Sequence, residues 1–212
     1  MGTKKFIITI NRECGSGGGE IARKLGVLLG VKVYNKALLQ SIESKYSLTA
    51  EELERIKASH RKWWQDFTDF YKQFGSFGEP YNSSKEVTVT SRQIYNAEST
   101  ILQEAAQEES CIIVGRSGFH IFANDPSAVR IFIIADKSDR IKRVMNKQHL
   151  DEKEASQLME KIDKSRENYT KTFAGCSRYD ARNYDMVINV SKIDRDTVVN
   201  MLEHWIHSKY DV

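Results

Sequence analysis

Short, almost wholly apolar runs alternate along the chain with stretches in which apolar residues recur every three or four positions. Phe6 to Ile10 is the first run, followed by Val31 to Tyr34, Cys111 to Val114, Val129 to Ala135 and Met186 to Val190. Runs that are apolar on both faces belong to parallel strands covered by helices on each side. Between the first two, Ile21, Leu25 and Leu28 recur at i, i+4 and i+7, one apolar stripe of a helix that Gly30 ends. Strand, helix, strand at this spacing is a βαβ unit. Its repetition predicts an open parallel α/β sheet.

About 75 residues separate the second and third strands, far more than one crossover helix needs, so a helical insertion is expected over about residues 36–107. Within it Thr49 and Glu52 match a capping box. After them Leu53, Ile56, His60, Trp63, Phe67, Phe70 and Phe74 keep alternating spacings of three and four, which predicts a long helix ended at Gly75. The aromatic stripe reads first as a packing face, with a ligand platform as the alternative. Gly75 to Glu86 reads as a loop, and Thr90 to Gln107 as helix with Ile94, Ala97, Ile101 and Ala105 on one side. Asp151 to about Thr172 is a further helix, capped by Asp151 and Glu154, with Ala155, Leu158 and Ile162 as its apolar side.

Composition narrows the class. The chain has 212 residues, 40% of them hydrophobic and 29% charged, which suits one domain with a sizeable core. Its net charge of +3 is too small to argue for nucleic acid. Cys14, Cys111 and Cys176 include no C-x-x-C pair, so neither a zinc site nor a disulfide framework is expected. The first apolar run stops at Asn11, too short for a signal peptide, and no later run is long enough for a bilayer. The expectation is a cytoplasmic protein with no membrane partner. His204 and His207 sit at i, i+3 near the C-terminus without further ligands, so no metal site is expected there.

The chemistry-bearing segment follows the first strand: Asn11-Arg12-Glu13-Cys14-Gly15-Ser16-Gly17-Gly18-Gly19-Glu20, with a helix at once behind it. Four glycines between a buried strand and a helix let backbone amides curl around an anion, and the helix N-terminus adds partial positive charge. Gly15, Ser16, Gly17, Gly18, Gly19 and Glu20 are therefore the candidate phosphate-binding residues. A dinucleotide fingerprint fails twice, at Glu20 and at Asn35. The mononucleotide loop G-x-x-x-x-G-K-[ST] fits in register, with Arg12 at its first glycine, Gly17 at the second, Gly18 at the lysine and Gly19 at the hydroxyl residue. Its backbone cradle is present; its lysine and hydroxyl are not. Cys14, near a helix N-terminus, is expected to have a lowered thiol pKa. Cys111 reads as a core residue.

Five segments in chain order resemble the cytidylate kinase-like family of P-loop proteins. They are Ile8 to Ala22, Val33 to Leu39, Ile112 to Arg116 (Ile-Ile-Val-Gly-Arg), Ile162 to Tyr169 (Ile-Asp-Lys-Ser-Arg-Glu-Asn-Tyr) and Tyr184 to Asn189. The resemblance implies a P-loop NTPase-type three-layer α/β/α fold with a five-stranded parallel sheet, a helical monophosphate-binding insertion and a lid near 147–180. The core would then be residues 1–35, 108–146 and 181–212. It also implies ATP with substrate-bound Mg2+ as donor, and small-molecule nucleotides rather than nucleic acid as partners. Arg116, Asn35 and Lys36 would bind the acceptor, while Asp163, Arg166 and Arg12 would serve catalysis. Asp163 and Arg166 could equally be a surface ion pair, and Arg140, Arg143 and Lys147 a solvated basic stripe.

This chain departs from the family pattern at Gly18, Gly19, Asn35, Ser117 and Met159. The missing lysine removes a cation that neutralises the transferring phosphate, so either Arg12, Arg23 or a lid arginine substitutes, or the chemistry is slow or absent. Two functions follow. One is a phosphotransferase acting on a CMP-like monophosphate; the other is a nucleotide- or polyanion-binding protein that kept the fold without turnover.

Overall fold

The computed structural model describes residues 5–35 and 89–210. The helix expected at 49–74, the loop after it and Lys36 lie outside the described residues. Five strands form one parallel sheet in the order β2-β3-β1-β4-β5. They are β1 (Ile7–Arg12), β2 (Lys32–Tyr34), β3 (Cys111–Val114), β4 (Ala128–Ile134) and β5 (Met186–Asn189). The helices are α1 (Gly18–Leu29), α2 (Val89–Glu108), α3 (Gly118–Ile121), α4 (Lys137–Gln148), α5 (Glu152–Ala174) and α6 (Arg195–Tyr210). Every expected strand is present within one or two residues of its expected bounds.

The central strand explains the three layers. In β1, Ile8 and Ile10 point to one face with Ile112 and Ile131, and there they meet Ile21 and Leu25 of α1 and Val198, Leu202 and Ile206 of α6. Ile7 points to the other face, where Ile113, Leu102 of α2 and Phe122 close a second core. Continuous apolar runs are what a strand needs when helices cover both its sides. Burying each of these side chains contributes roughly 1.5–3 kcal/mol before the entropy of ordering it.

One local detail corrects the expected pattern. Leu28, expected on the buried stripe of α1, is 53% exposed. The helix instead presents Ile21, Ala22, Leu25, Gly26 and half-buried Leu29 to the sheet. Gly26 decides this rotation, because any side chain there would collide with Val33, and the helix comes down close to β2 at that point. In α2, Ala105 is half-buried as expected, and the buried contacts also come from Tyr95, Glu98, Leu102 and Ala106. The side chains of Ile94, Ala97 and Ile101 lie outside the described residues. The Asp151 cap is realised in full: its carboxylate accepts the Glu154 amide at 2.8 Å, and the Glu154 carboxylate accepts the Asp151 amide at 3.1 Å.

Right-handed crossovers carry the chain from β1 leftward to β2 and from β3 rightward to β4. The connections of β1 and β3 therefore leave on opposite faces, α1 into the first core and α3 beside the second. The crevice between the C-terminal ends of these neighbours is where an open α/β sheet binds its ligands.

Candidate functional site

The glycine loop follows β1 at that end of the sheet. Gly17, at φ 86°, caps α1 with its carbonyl, which accepts the amides of Glu20 and Ile21. On the other side of the loop, Arg143 of α4 donates to the carbonyls of Gly15 and Ser16 at 3.2 and 3.1 Å. The carbonyls are thus taken up by a side chain. The amides of Gly15, Gly17 and Gly19 donate to no protein acceptor among the described residues. Ser16 is wholly buried; its hydroxyl donates to the Glu13 carbonyl at 2.9 Å and accepts the Gly18 amide at 3.4 Å. Glu20 turns away toward Lys24 and toward Arg195 of α6, at 3.3 and 2.7 Å.

Beneath the loop lies a buried ionic cluster. Asp163 of α5 accepts the Cys14 amide at 2.9 Å through Oδ1 and pairs with Arg140 through Oδ2. Arg140 also donates to the Cys14 carbonyl at 2.8 Å and pairs with Glu13 at 3.0 Å. Arg166, one turn along α5, lies 3.7 Å from Asp163 and donates to the Arg12 carbonyl at 3.1 Å. The α5 pair is therefore not a surface ion pair: Asp163 and Arg166 are 7% and 9% exposed. Neither is Arg140, Arg143 and Lys147 a uniform solvated stripe. Lys147 is exposed, but Arg140 is buried and Arg143 half-buried against the loop.

Arg178 has no counterpart among the residues singled out by spacing. It follows α5 in a loop, is 1% exposed, and donates through Nη2 to the Arg12 carbonyl and, at 3.3 Å, to Asn11 Oδ1. Its guanidinium lies 5.6 Å from the Phe132 ring and 5.3 Å from that of Tyr179. Desolvation, with Arg166 next in effect, pulls its pKa below the ordinary arginine range. Tyr184 closes the ring, accepting from Asn11 at 2.6 Å and donating to the Arg178 carbonyl at 2.7 Å. Arg140, Arg166 and Arg178 converge on Asp163 at the floor of the crevice, and Arg140 also reaches Glu13.

Arg116 follows β3 in a run of three left-handed residues: Gly115, Arg116 and Ser117, at φ 77°, 54° and 52°. Two consecutive non-glycine residues in that region are held there by their surroundings. The Arg116 side chain is 9% exposed and pairs with Glu98 of α2 at 2.9 Å, while Tyr169 of α5 donates to the other Glu98 oxygen at 3.3 Å. Asn35 is exposed at the end of β2. Arg23 is exposed on α1, and the loop cations are other residues.

The thiol of Cys14 behaves opposite to expectation. Burial pushes its pKa up to about 11, against the opposing pull of the Arg166, Arg140 and Arg12 charges. Its amide donates to Asp163. Cys111 is wholly buried in β3, as expected. Among the described residues no three His, Cys, Asp or Glu side chains gather at a common point, and His207 pairs with Glu203.

Solved structures share this architecture. An uncharacterized protein from Eubacterium ventriosum ATCC 27560 superposes with a TM-score of 0.70 at 28% identity, covering 96% of this chain and 99% of that one. Two shikimate kinases share the fold at much lower identity. That of Bacteroides thetaiotaomicron has a TM-score of 0.50 at 13% identity, covering 98% and 99% of the two chains. That of Acinetobacter baumannii has 0.51 at 12%, covering 98% and 96%. No curated protein sequence matches the chain. The sequence profile of the cytidylate kinase-like family matches residues 7–192. With that match, the sheet order and the glycine loop between β1 and α1, the chain belongs to the cytidylate kinase-like family.

Proposed function

We propose that the protein is a phosphotransferase that moves the γ-phosphate of ATP to a nucleoside monophosphate of the CMP type. The observation that carries this reading is the convergence of loop amides without a protein acceptor and a cationic floor at one end of β1. Phosphoryl transfer asks little covalent chemistry of a protein; it asks for alignment and for positive charge around the equatorial oxygens. Mg2+ would arrive on the nucleotide, since Gly19 offers no hydroxyl to hold it. Arg166 is the cation assigned to the transition state, and Arg116, Asn35 and Lys36 are assigned to the acceptor. Arg116 would then exchange Glu98 for phosphate as acceptor binds.

A coupled ADP-release assay over a panel of monophosphates, run beside a nucleotide thermal-shift panel, tests this. ADP release dependent on one pyrimidine monophosphate is the expected result. Arg166→Ala should lower kcat by at least about 100-fold with ATP affinity little changed, as for a group acting mainly in the transition state. An Arg166→Ala variant with parental kcat would remove that residue from catalysis. A second reading, a nucleotide-binding protein without turnover, is favoured by Gly18, which supplies no lysine. It predicts thermal shifts with ATP and no ADP release from any monophosphate.

A further inference from the structure

Gly18 stands where the mononucleotide loop carries its lysine, and Arg12 where it carries its first glycine. The two positions touch. A Cβ built on Gly18 would lie 2.6 Å from Arg12 Cβ, 3.2 Å from Ile133 Cβ and 3.3 Å from Arg12 Cγ. Both opposing Cβ atoms are anchored to neighbouring strands, β1 and β4, and cannot swing aside as the end of a long side chain would. No residue larger than glycine fits at position 18 while Arg12 keeps its side chain. From there the Arg12 side chain crosses from β1 to β3. Its Nη1 lies against Gly115, just past the end of β3, where an added Cβ would collide with it. The Arg12 carbonyl is meanwhile held by Arg166 and Arg178, so the side chain leaves from a fixed backbone.

We propose that Arg12 is a phosphate-binding residue that replaces the loop lysine from the opposite side of the crevice, and that Gly18 is glycine because the Arg12 stem fills its side-chain space. Bulk and charge have changed places between the two ends of one motif. The ligand half of this inference, a nucleotide polyphosphate, rests on the phosphotransferase reading. The steric half rests on the contacts alone. It differs from the role of Arg166, whose contact with the Arg12 carbonyl comes from α5: Arg12 belongs to the loop itself and would hold the phosphate chain in the ground state.

Four variants of the full chain test it: Arg12→Gln, Arg12→Gly, Gly18→Lys and the double Arg12→Gly/Gly18→Lys. Inorganic tripolyphosphate and ATP are the probes, with calorimetric affinity and ligand-free Tm as the readouts. Arg12→Gln keeps the stem over Gly18, so its Tm should stay near the parent while tripolyphosphate affinity falls at least tenfold. Gly18→Lys should lose Tm through the clash. The double variant, which rebuilds glycine first and lysine later, should regain Tm over Gly18→Lys and bind tripolyphosphate within about threefold of the parent. An Arg12→Gln variant that binds as the parent does overturns the ligand half. A double variant no more stable than Gly18→Lys overturns the steric half. A parent that binds neither tripolyphosphate nor ATP overturns the phosphotransferase reading and the ligand half with it, whereas binding by the parent with unchanged Arg12→Gln overturns this inference only.

Discussion

At the scale of single residues, burial decides more than position in a motif. Cys14 lies in a glycine loop before a helix, a setting that ordinarily activates a thiol. Here it is 1% exposed, and the cost of a buried thiolate outweighs three nearby guanidinium charges, leaving its pKa at about 11. At pH 8 the folded protein should therefore react with an aromatic disulfide reagent at half-buried Cys176 first, and at Cys14 only on unfolding. Peptide mapping of the labelled protein checks this; modification of Cys14 at the rate of a free thiol would show a loop that opens. The same dominance of burial explains which site residues spacing could and could not reveal. Arg166 and Asp163 stand out through the Ile162–Tyr169 segment that resembles the family, whereas their i, i+3 spacing alone reads equally as a surface ion pair. Arg178 does not stand out, since nothing local marks an arginine in a loop as the one that will sit beneath β1. Its place follows from Phe132, Tyr179 and Tyr184, brought together from three segments.

At the scale of elements, the strands were legible because each is apolar on both faces, and the helices because their periods and caps agree. Partners across elements left no such mark. Glu98 is not marked out by the pattern of α2, yet it is 4% exposed and pairs with Arg116 after β3. The edge strand offers another case. Asp185, just before β5, accepts three hydrogen bonds from Arg130 of β4: the backbone amide at 2.8 Å, Nε at 3.2 Å and Nη2 at 2.8 Å. The hydrogen bonds from Arg130 hold its carboxyl below the ordinary aspartate range. A depressed folded pKa means stability that is fully present above the unfolded value and is lost as pH falls through the folded one. Asp185→Asn should thus cost about 1 kcal/mol at pH 7, the scale of a partly exposed, charge-assisted pair. That difference from the parent should narrow as pH falls below the ordinary aspartate value of about 3.9 and through the depressed folded one. Urea midpoints of the two proteins across that range measure it; a gap of constant size would detach the stabilisation from the carboxylate charge.

At the scale of the whole molecule, one carboxylate joins the parts that must act together. Asp163 belongs to α5, accepts an amide of the glycine loop, and pairs with Arg140 of α4, which in turn reaches Glu13 beyond β1. α4 and α5 are further joined by Val144, Ala155, Leu158 and Ile162, which pack around Cys14. The loop is therefore tied to the helix that carries Arg166, so the proposed phosphate cradle and the proposed transition-state cation share one support. Removing one member of a buried ion pair strands the other. Asp163→Ala should cost about 3 kcal/mol, toward the lower end for such losses because Glu13 still faces Arg140. Asp163→Asn keeps an acceptor for the Cys14 amide and should cost less than Asp163→Ala. Arg140→Met combined with Asp163→Ala removes both charges together, so the double variant should be more stable than the sum of the single losses by at least about 1 kcal/mol. Urea unfolding of the four proteins supplies the cycle. Single losses that add to within about 0.5 kcal/mol would mean that loop and helix are supported separately. A positive coupling together with a fall in tripolyphosphate affinity in Asp163→Asn would show that the tie sets the geometry of the cradle as well as its stability.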